Sequence, residues 1–411
     1  MPVLFEKTRI QGMELKNRIV RSATHEGMSD GNGFPTEALF KLYGRLAKGG
    51  SSLIITGYAF VSRDGKCHFW RMQGIDSDAH IPAYRKLVDH VHRNGSRIAM
   101  QICHCGRQTT REMIGTQPLA PSAVKDRALF VTPREMTEGD IERIIEDFGQ
   151  ASRRVRESGF DAVQIHAAHG YLISQFLCPH TNRRRDRWGG SLENRMRFLA
   201  EVYARCRREF GDDYPVLIKM NGQDNLKKGL KPSEGVVMAE RMAEMGFDGI
   251  EVSCGIMEDG FSTVRGDLCI EAFLEEWEMY RRQNFLFHFA MRHFAKWILK
   301  PLPLTEAYNR EMAKAIRSRV KVPVFVVGGI STPAVMEDIV GKGDADYISL
   351  CRTLIADPGF PEKIRSGSRE PSRCIHCNLC GAYMTSKPIR CYRGKRIQGA
   401  AQSLKPSCEA A

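Results

Sequence analysis

Short apolar runs recur along the chain, separated by stretches with helical spacing. In order they are "RIVRSA" from Arg18, "SLIITG" from Ser52, "RIAMQI" from Arg97, "AVQIHA" from Ala162, "VLIKM" from Val216, "GIEVSC" from Gly249, "VPVFVVGG" from Val322 and "DYISLC" from Asp346. Runs of this length, continuous rather than alternating, predict strands buried on both faces. The segments between them carry helix start signals. Thr137 precedes "EGDIERIIEDF", Ser191 precedes "LENRMRFLAEV", Ser233 precedes "EGVVMAERMAEM", and Thr332 with Pro333 precedes "AVMEDIV". A side-chain oxygen ahead of such a pattern satisfies helix N–H groups that have no partner within the helix, and Pro suits the first turn.

A weak internal repeat reinforces the pattern. "ESGFDAVQIHA" at Glu157 and "EMGFDGIEVSC" at Glu244 share one plan, a helix ending at Gly and a two-residue link into a buried strand, and "GKGDADYISLC" at Gly341 echoes it. Eight strand–helix units over about 360 residues predict a (β/α)8 barrel. A doubly wound sheet is the competing architecture, but no G-x-G-x-x-G follows the first strand, so a Rossmann dinucleotide site is not supported.

Two segments exceed a minimal barrel. Within an added helical segment at about 265–304, "EMYRRQNFLFHFAMRHFAKWILKPLPL" runs from Glu278 to Leu304. Phe287, Met291, Phe294 and Ile298 share one face of it at helical spacing. The expectation is a helix packed on the barrel mouth, with a subunit contact or a membrane-surface helix as the alternatives. The second segment is a polar, Cys-rich tail over 366–411, an appendix to a barrel that spans residues 1–365.

Composition narrows the class. The chain has 411 residues, 42% hydrophobic and 27% charged, which is enough for a large globular core. No run approaches the roughly 20 apolar residues of a membrane span, and the N-terminus lacks the pattern of a secretory signal. Thirteen cysteines, scattered apart from one tight group, suit a reducing compartment, so the expected address is cytoplasmic. The net charge of +13 invites a nucleic-acid reading. However, the basic residues are spread along the chain, and the densest group, "NRRRDRWGG", lacks interleaved aromatics for stacking bases. Attraction of anionic cofactors or substrates is the milder account.

Barrel active sites form where the strands end, and these ends are polar. Strand one runs into Ser22, Ala23 and Thr24, strand three carries Gln101, and strand four leads into "HAAHGYLISQF" with His166, His169 and Tyr171. Gly328 and Gly329 close strand seven; Cys351 and Arg352 follow strand eight. The Gly pair lets backbone N–H groups approach an anion and Arg352 adds a charged fork, so this end reads as a phosphate site. Lys219, in an otherwise apolar strand, requires a partner: a barrel-core ion pair, or the electron-rich edge of a cofactor whose reduced form a cation would stabilise. His166 and His169 also suit a metal, but no carboxylate or third His stands near them to complete the site.

These residues carry a resemblance. "LKNRIVRSATHEGM", "QICHCGRQ", "IHAAHGYLISQFLCPHTNRRRDRWGGSLENRMRFL", "VPVFVVGGIS" and "DYISLCRTLIADP" resemble the successive signatures of the old yellow enzyme family of flavin-dependent ene reductases. The likeness is nearest to the barrel domain of the 2,4-dienoyl-CoA and 2-enoate reductases. The resemblance implies a barrel binding FMN. Ser22, Ala23 and Thr24 would lie beside the ring, Gly57 and Gln101 near its pyrimidine edge, Lys219 at N1 and O2, and Gly329, Cys351 and Arg352 at the phosphate. It further implies NADH or NADPH as donor and a small-molecule alkene as acceptor. His166 and His169 would hold the activating oxygen of the alkene, with Tyr171 as proton donor.

The tail holds "CIHCNLCGAYMTSKPIRC", with Cys374, Cys377, Cys380 and Cys391. Four thiols so close together suit an iron–sulfur cluster or tetrahedral zinc, with a tail that binds no metal as the third alternative. Larger relatives carry a [4Fe-4S] cluster at the matching place, although here the short spacer lacks one residue. Two further readings compete. One is an electron-transfer component serving a partner subunit. The other is a flavin-dependent RNA reductase, which would require a nucleic-acid-binding appendix that the Cys tail does not resemble. A homo-oligomer is compatible with all of these.

Overall fold

The eight apolar runs become eight parallel strands in the computed structural model, which describes residues 3–260 and 262–394. They are β1 (Ile19–Arg21), β2 (Leu53–Ile55), β3 (Arg97–Cys103), β4 (Ala162–Ala167), β5 (Val216–Asn221), β6 (Gly249–Ser253), β7 (Val324–Val327) and β8 (Tyr347–Leu350). Each pairs with the next, and β8 returns to β1 with Ile348 opposite Ile19, which closes the (β/α)8 barrel. Outside lie α1 (Glu37–Lys48), α2 (Ile81–Arg93), α3 (Glu138–Glu157), α4 (Leu192–Phe210), α5 (Pro232–Met245), α6 (Arg310–Arg317), α7 (Pro333–Gly341) and α8 (Phe360–Arg365). Among the described residues no helix is long and apolar enough to cross a membrane.

The internal repeat has a structural cause. In each copy an Asp ahead of the strand accepts a hydrogen bond from a backbone N–H at or beside the start of the preceding strand. Asp161 accepts from Ile98, Asp248 from Val216 and Asp346 from Val324, each at 2.8 Å. The carboxylates thus tie neighbouring strand starts together, and the Gly before them, at φ +82° for Gly159 and +101° for Gly246, turns the chain out of its helix.

The caps match at Thr137, which accepts from the Asp140 N–H at 3.2 Å, and at Ser191, which accepts from Asn194 at 3.2 Å. The others differ. α5 begins at Pro232, so Ser233 lies inside the first turn, because Pro's fixed φ and missing N–H suit the first position. Thr332 stands at the N-cap of α7, but its hydroxyl donates to Glu306 at 2.9 Å instead of serving the helix.

The barrel interior has two layers. An N-terminal hairpin, Thr8–Ile10 with Met13–Leu15, brings Ile10, Met13 and Leu15 against Val20, Leu53, Leu217 and Phe325, filling the lower layer with hydrocarbon. The upper layer is polar and buried, with Gln101, Gln164, His166, Lys219 and Glu251. Between β6 and α6 the added segment forms helices Ile270–Glu276, Glu278–Arg281 and Phe285–Leu299. The face expected to pack is only half right. Phe287 and Met291 turn inward with Ala295, but Phe294 is 51% and Ile298 44% exposed. This helix is apolar nearly all round, so spacing alone could not select the stripe that the neighbouring helix covers. The tail is described as far as Gly394; its residues 395–411 lie outside the described residues.

Candidate active site

The strand ends open into a cavity of about 1420 Å³, its mouth included, lined by residues from all eight strand ends, the added segment and the tail. Strand register sets its floor. Gln164 lies opposite Gln101, His166 opposite Lys219, and Lys219 opposite Glu251, so the inward side chains form a continuous row. Gln101 donates to Gln164 at 2.7 Å, Gln164 donates to Glu251 at 2.8 Å, and the Ser22 hydroxyl donates to Glu251 at 2.7 Å. Lys219 Nζ donates to Ser22 at 2.9 Å and pairs with Glu251 at 3.2 Å. Lys219 therefore forms a core ion pair, and it also lines the cavity. Glu251 was missed in the sequence, although it carries the same signal as Lys219: one charge inside an apolar strand.

The chain leaving β4 turns sharply. His169 adopts φ +62° and Gly170 +81°, a turn that aims three side chains at one space. The His166 ring lies 5.2 Å from His169 and 4.9 Å from Tyr171, centroid to centroid. His166 Nδ1 accepts from the Ala168 N–H at 3.3 Å, which leaves the proton on Nε2. His169 Nε2 meets the Ser253 hydroxyl at 2.7 Å. Burial, then His169 and Lys219, hold His166 well below its usual range; burial and Lys219 bring His169 down to about 3. Both are neutral imidazoles at pH 7. Burial pushes the Tyr171 phenol well above its ordinary value, so it keeps its proton.

The far end of the cavity holds Gly328 and Gly329, with Ser349, Cys351 and Arg352. Tyr308 packs so closely on the Gly pair that a Cβ at Gly328 would lie 2.7 Å from its ring. Arg352 is buried and donates at 2.6 Å to the Arg265 carbonyl and to Asn378 of the tail. Thr24 donates to Cys351 at 3.1 Å, joining the ends of β1 and β8. Ala23 lines the same wall. Gly57 sits behind it. Its N–H donates to Glu26 at 2.8 Å, and a Cβ there would lie 2.0 Å from that carboxylate.

The residues present fit FMN. Aromatic and apolar walls suit a flat ring, and the polar row from Gln101 to Lys219 offers donors along one edge. The Ser349 hydroxyl, buried at the Gly328–Gly329 end, has no hydrogen-bond partner among the described residues. Phe69, Tyr58, Trp277 and the tail residues His376 and Asn378 complete the lining. None of these five was singled out in the sequence, because they come from elements that only the fold brings to the mouth.

Cys374, Cys377, Cys380 and Cys391 all line one small cavity beside Arg352. The donor set suits an iron–sulfur cluster, but among the described residues no group of three metal-binding side chains converges on a common point.

Comparison with known proteins agrees with this geometry. The model of the NADH:flavin oxidoreductase / NADH oxidase family matches residues 3–259 and 288–370, passing over most of the added segment. The NADH oxidase of Thermoanaerobacter brockii is 33% identical over 380 residues, 92% of this chain and 53% of that protein. The NADPH dehydrogenase of Bacillus subtilis is 32% identical over 362 residues, 87% of this chain and 92% of that protein. The solved 2-naphthoyl-CoA reductase, in complex with 2-naphthoyl-CoA, superimposes with a TM-score of 0.81 at 25% identity, covering 95% of this chain and 56% of that one. The chain thus spans about half the length of several relatives it matches. With its barrel, strand-end chemistry and family match in agreement, the chain belongs to the NADH:flavin oxidoreductase / NADH oxidase family, the old yellow enzyme family.

Proposed function

We propose that the chain is an FMN-dependent NAD(P)H oxidoreductase that reduces activated C=C bonds in an enone, enoate or enoyl thioester. The observation that carries this reading is the convergence of two neutral imidazoles and a protonated phenol at the end of β4. FMN held in this cavity would supply the hydride chemistry, linking NAD(P)H to the alkene β-carbon. The protein supplies the remainder. The Nε2–H of His166, with His169 beside it, binds the carbonyl oxygen on which charge develops. Tyr171 holds a proton for the α-carbon. Gln101 and Lys219 would hold the pyrimidine edge of the ring, with Ser22, Ala23 and Thr24 alongside. Gly328, Gly329, Cys351 and Arg352 would hold the phosphate. Phe69 and Trp277 keep water from the reacting atoms. Both the relatives' names and the family point to nicotinamide-linked reduction.

The test is Tyr171→Phe, followed in separate half-reactions by stopped flow. Flavin reduction by NAD(P)H should remain near the parent rate, while alkene reduction slows by about 10² to 10⁴, the usual cost of losing a general acid. An unchanged alkene rate would show that the proton comes from elsewhere.

The shared cavity of the four tail thiols favours a second component, either a [4Fe-4S] cluster through which the chain would serve an electron-transfer partner, or a structural zinc, which carries no electrons. Turnover of simple enones by the isolated chain separates an ene reductase from a pure electron carrier.

A further inference from the structure

The residue that meets Tyr171 comes from a different strand end. Tyr58 follows β2, and its hydroxyl lies 2.9 Å from that of Tyr171. Its ring packs 5.0 Å from Tyr171, edge-on to His166 at 5.8 Å and stacked on His25 at 5.6 Å. Both phenols are buried and both line the cavity. The titratable groups facing the pair are His25, His166, Cys67, Cys103 and Cys105.

Two neutral hydroxyls in a dry site gain modestly from one shared hydrogen bond. When one of them loses its proton, the same contact becomes charge-assisted and roughly twice as strong. Burial raises both phenols, so both hold their protons at rest. Tyr171, which shares the turn after β4 with His166 and His169, is the member placed to release its proton, and Tyr58 the member that keeps it.

We propose that Tyr58 is a positioning residue for proton delivery: it fixes the Tyr171 hydroxyl toward the substrate and donates a hydrogen bond to the Tyr171 oxygen as that oxygen gives up its proton. The inference rests on Tyr171 being the acid proposed above. In the step it serves, the Tyr171 O–H bond breaks and a C–H bond forms at the α-carbon. The hydride originating in NAD(P)H forms the C–H bond at the β-carbon, and the alkene π pair is consumed. The Tyr171 oxygen is left negative, held by the Tyr58 O–H until water returns a proton.

The experiment is Tyr58→Phe in the full flavin-loaded chain, alongside Tyr171→Phe. Flavin content and flavin reduction by NAD(P)H should match the parent. Alkene reduction should slow by about ten- to a hundredfold, the loss expected for one hydrogen bond to a charged group. The solvent deuterium isotope effect on that half-reaction should rise, because proton delivery then lags hydride transfer, and the KM for the alkene should change little. A packing role would slow both half-reactions together or raise KM without moving the isotope effect, and either result overturns the proposal. If Tyr171→Phe slows alkene reduction and Tyr58→Phe does not, this inference alone fails. If neither variant slows it, the reading of Tyr171 fails as well.

Discussion

His166 and His169 act as neutral hydrogen-bonding groups because burial and the Lys219 ammonium oppose a second positive charge in the site. One consequence concerns pH. A carbonyl ligand bound by neutral imidazoles should show no inflection in affinity near pH 6.5, and titrating that affinity from pH 5 to 9 checks it. His166→Ala should weaken the ligand throughout this range; a midpoint near 6.5 in the parent would show that the oxygen is held by an imidazolium. Stability follows the same protons. Between about pH 6.5 and 3 the unfolded chain charges a histidine that folded His169 keeps neutral, so its contribution is present above 6.5 and lost as pH falls toward 3. The pair of charges at Lys219 and Glu251 was half visible in the sequence. The lysine stood out in its apolar strand, but only the register of β5 on β6 shows that the glutamate opposite is its partner.

At the level of elements, the strand–helix repeat depends on the Asp residues that lead into β4, β6 and β8. Asp248 accepts from the Val216 N–H at 2.8 Å, Arg207 at 2.9 Å and Gln11 at 2.6 Å. Asp248→Ala leaves a buried N–H and a guanidinium without their acceptor, so stability should fall by about 2–3 kcal/mol. A lower urea midpoint checks this, with flavin content as the control for the native site. Element type was legible from the sequence because the strands are continuous apolar runs and the helices keep their period. Element facing was less so. In Phe285–Leu299 nearly every position is apolar, and the choice of Phe287, Met291 and Ala295 as the packed stripe came from the neighbouring helices and the tail.

In the whole molecule, the added segment and the tail meet over the barrel mouth. Asn378 donates at 3.1 Å to the Val264 and Asp267 carbonyls and accepts from Arg352, so one tail residue joins the segment, the start of the helix after β8 and the thiol cavity. If the four thiols take up a cluster, protein prepared without oxygen should contain about four irons per chain. Cys377→Ser should abolish that iron while leaving FMN bound, as measured by metal analysis and chromatography of the released flavin. Stoichiometric zinc without iron would identify a structural site instead.

The sequence by itself determined the eight strands, the (β/α)8 architecture and the cluster His166, His169 and Tyr171, because these depend on local period, on turn chemistry and on a polar group ending a buried strand. It also marked Lys219 as a charge out of place in an apolar strand, and Gly328, Gly329 and Arg352 as a candidate anion-binding end. Tertiary structure alone decided which side chains meet: Tyr58 with Tyr171, Ser253 with His169, Glu251 with Lys219, and Asn378 with Arg352. These pairs are separated by 26 to 113 residues in the chain. No periodicity or spacing rule reaches that far, because their contact is set by barrel closure and by what packs over its mouth.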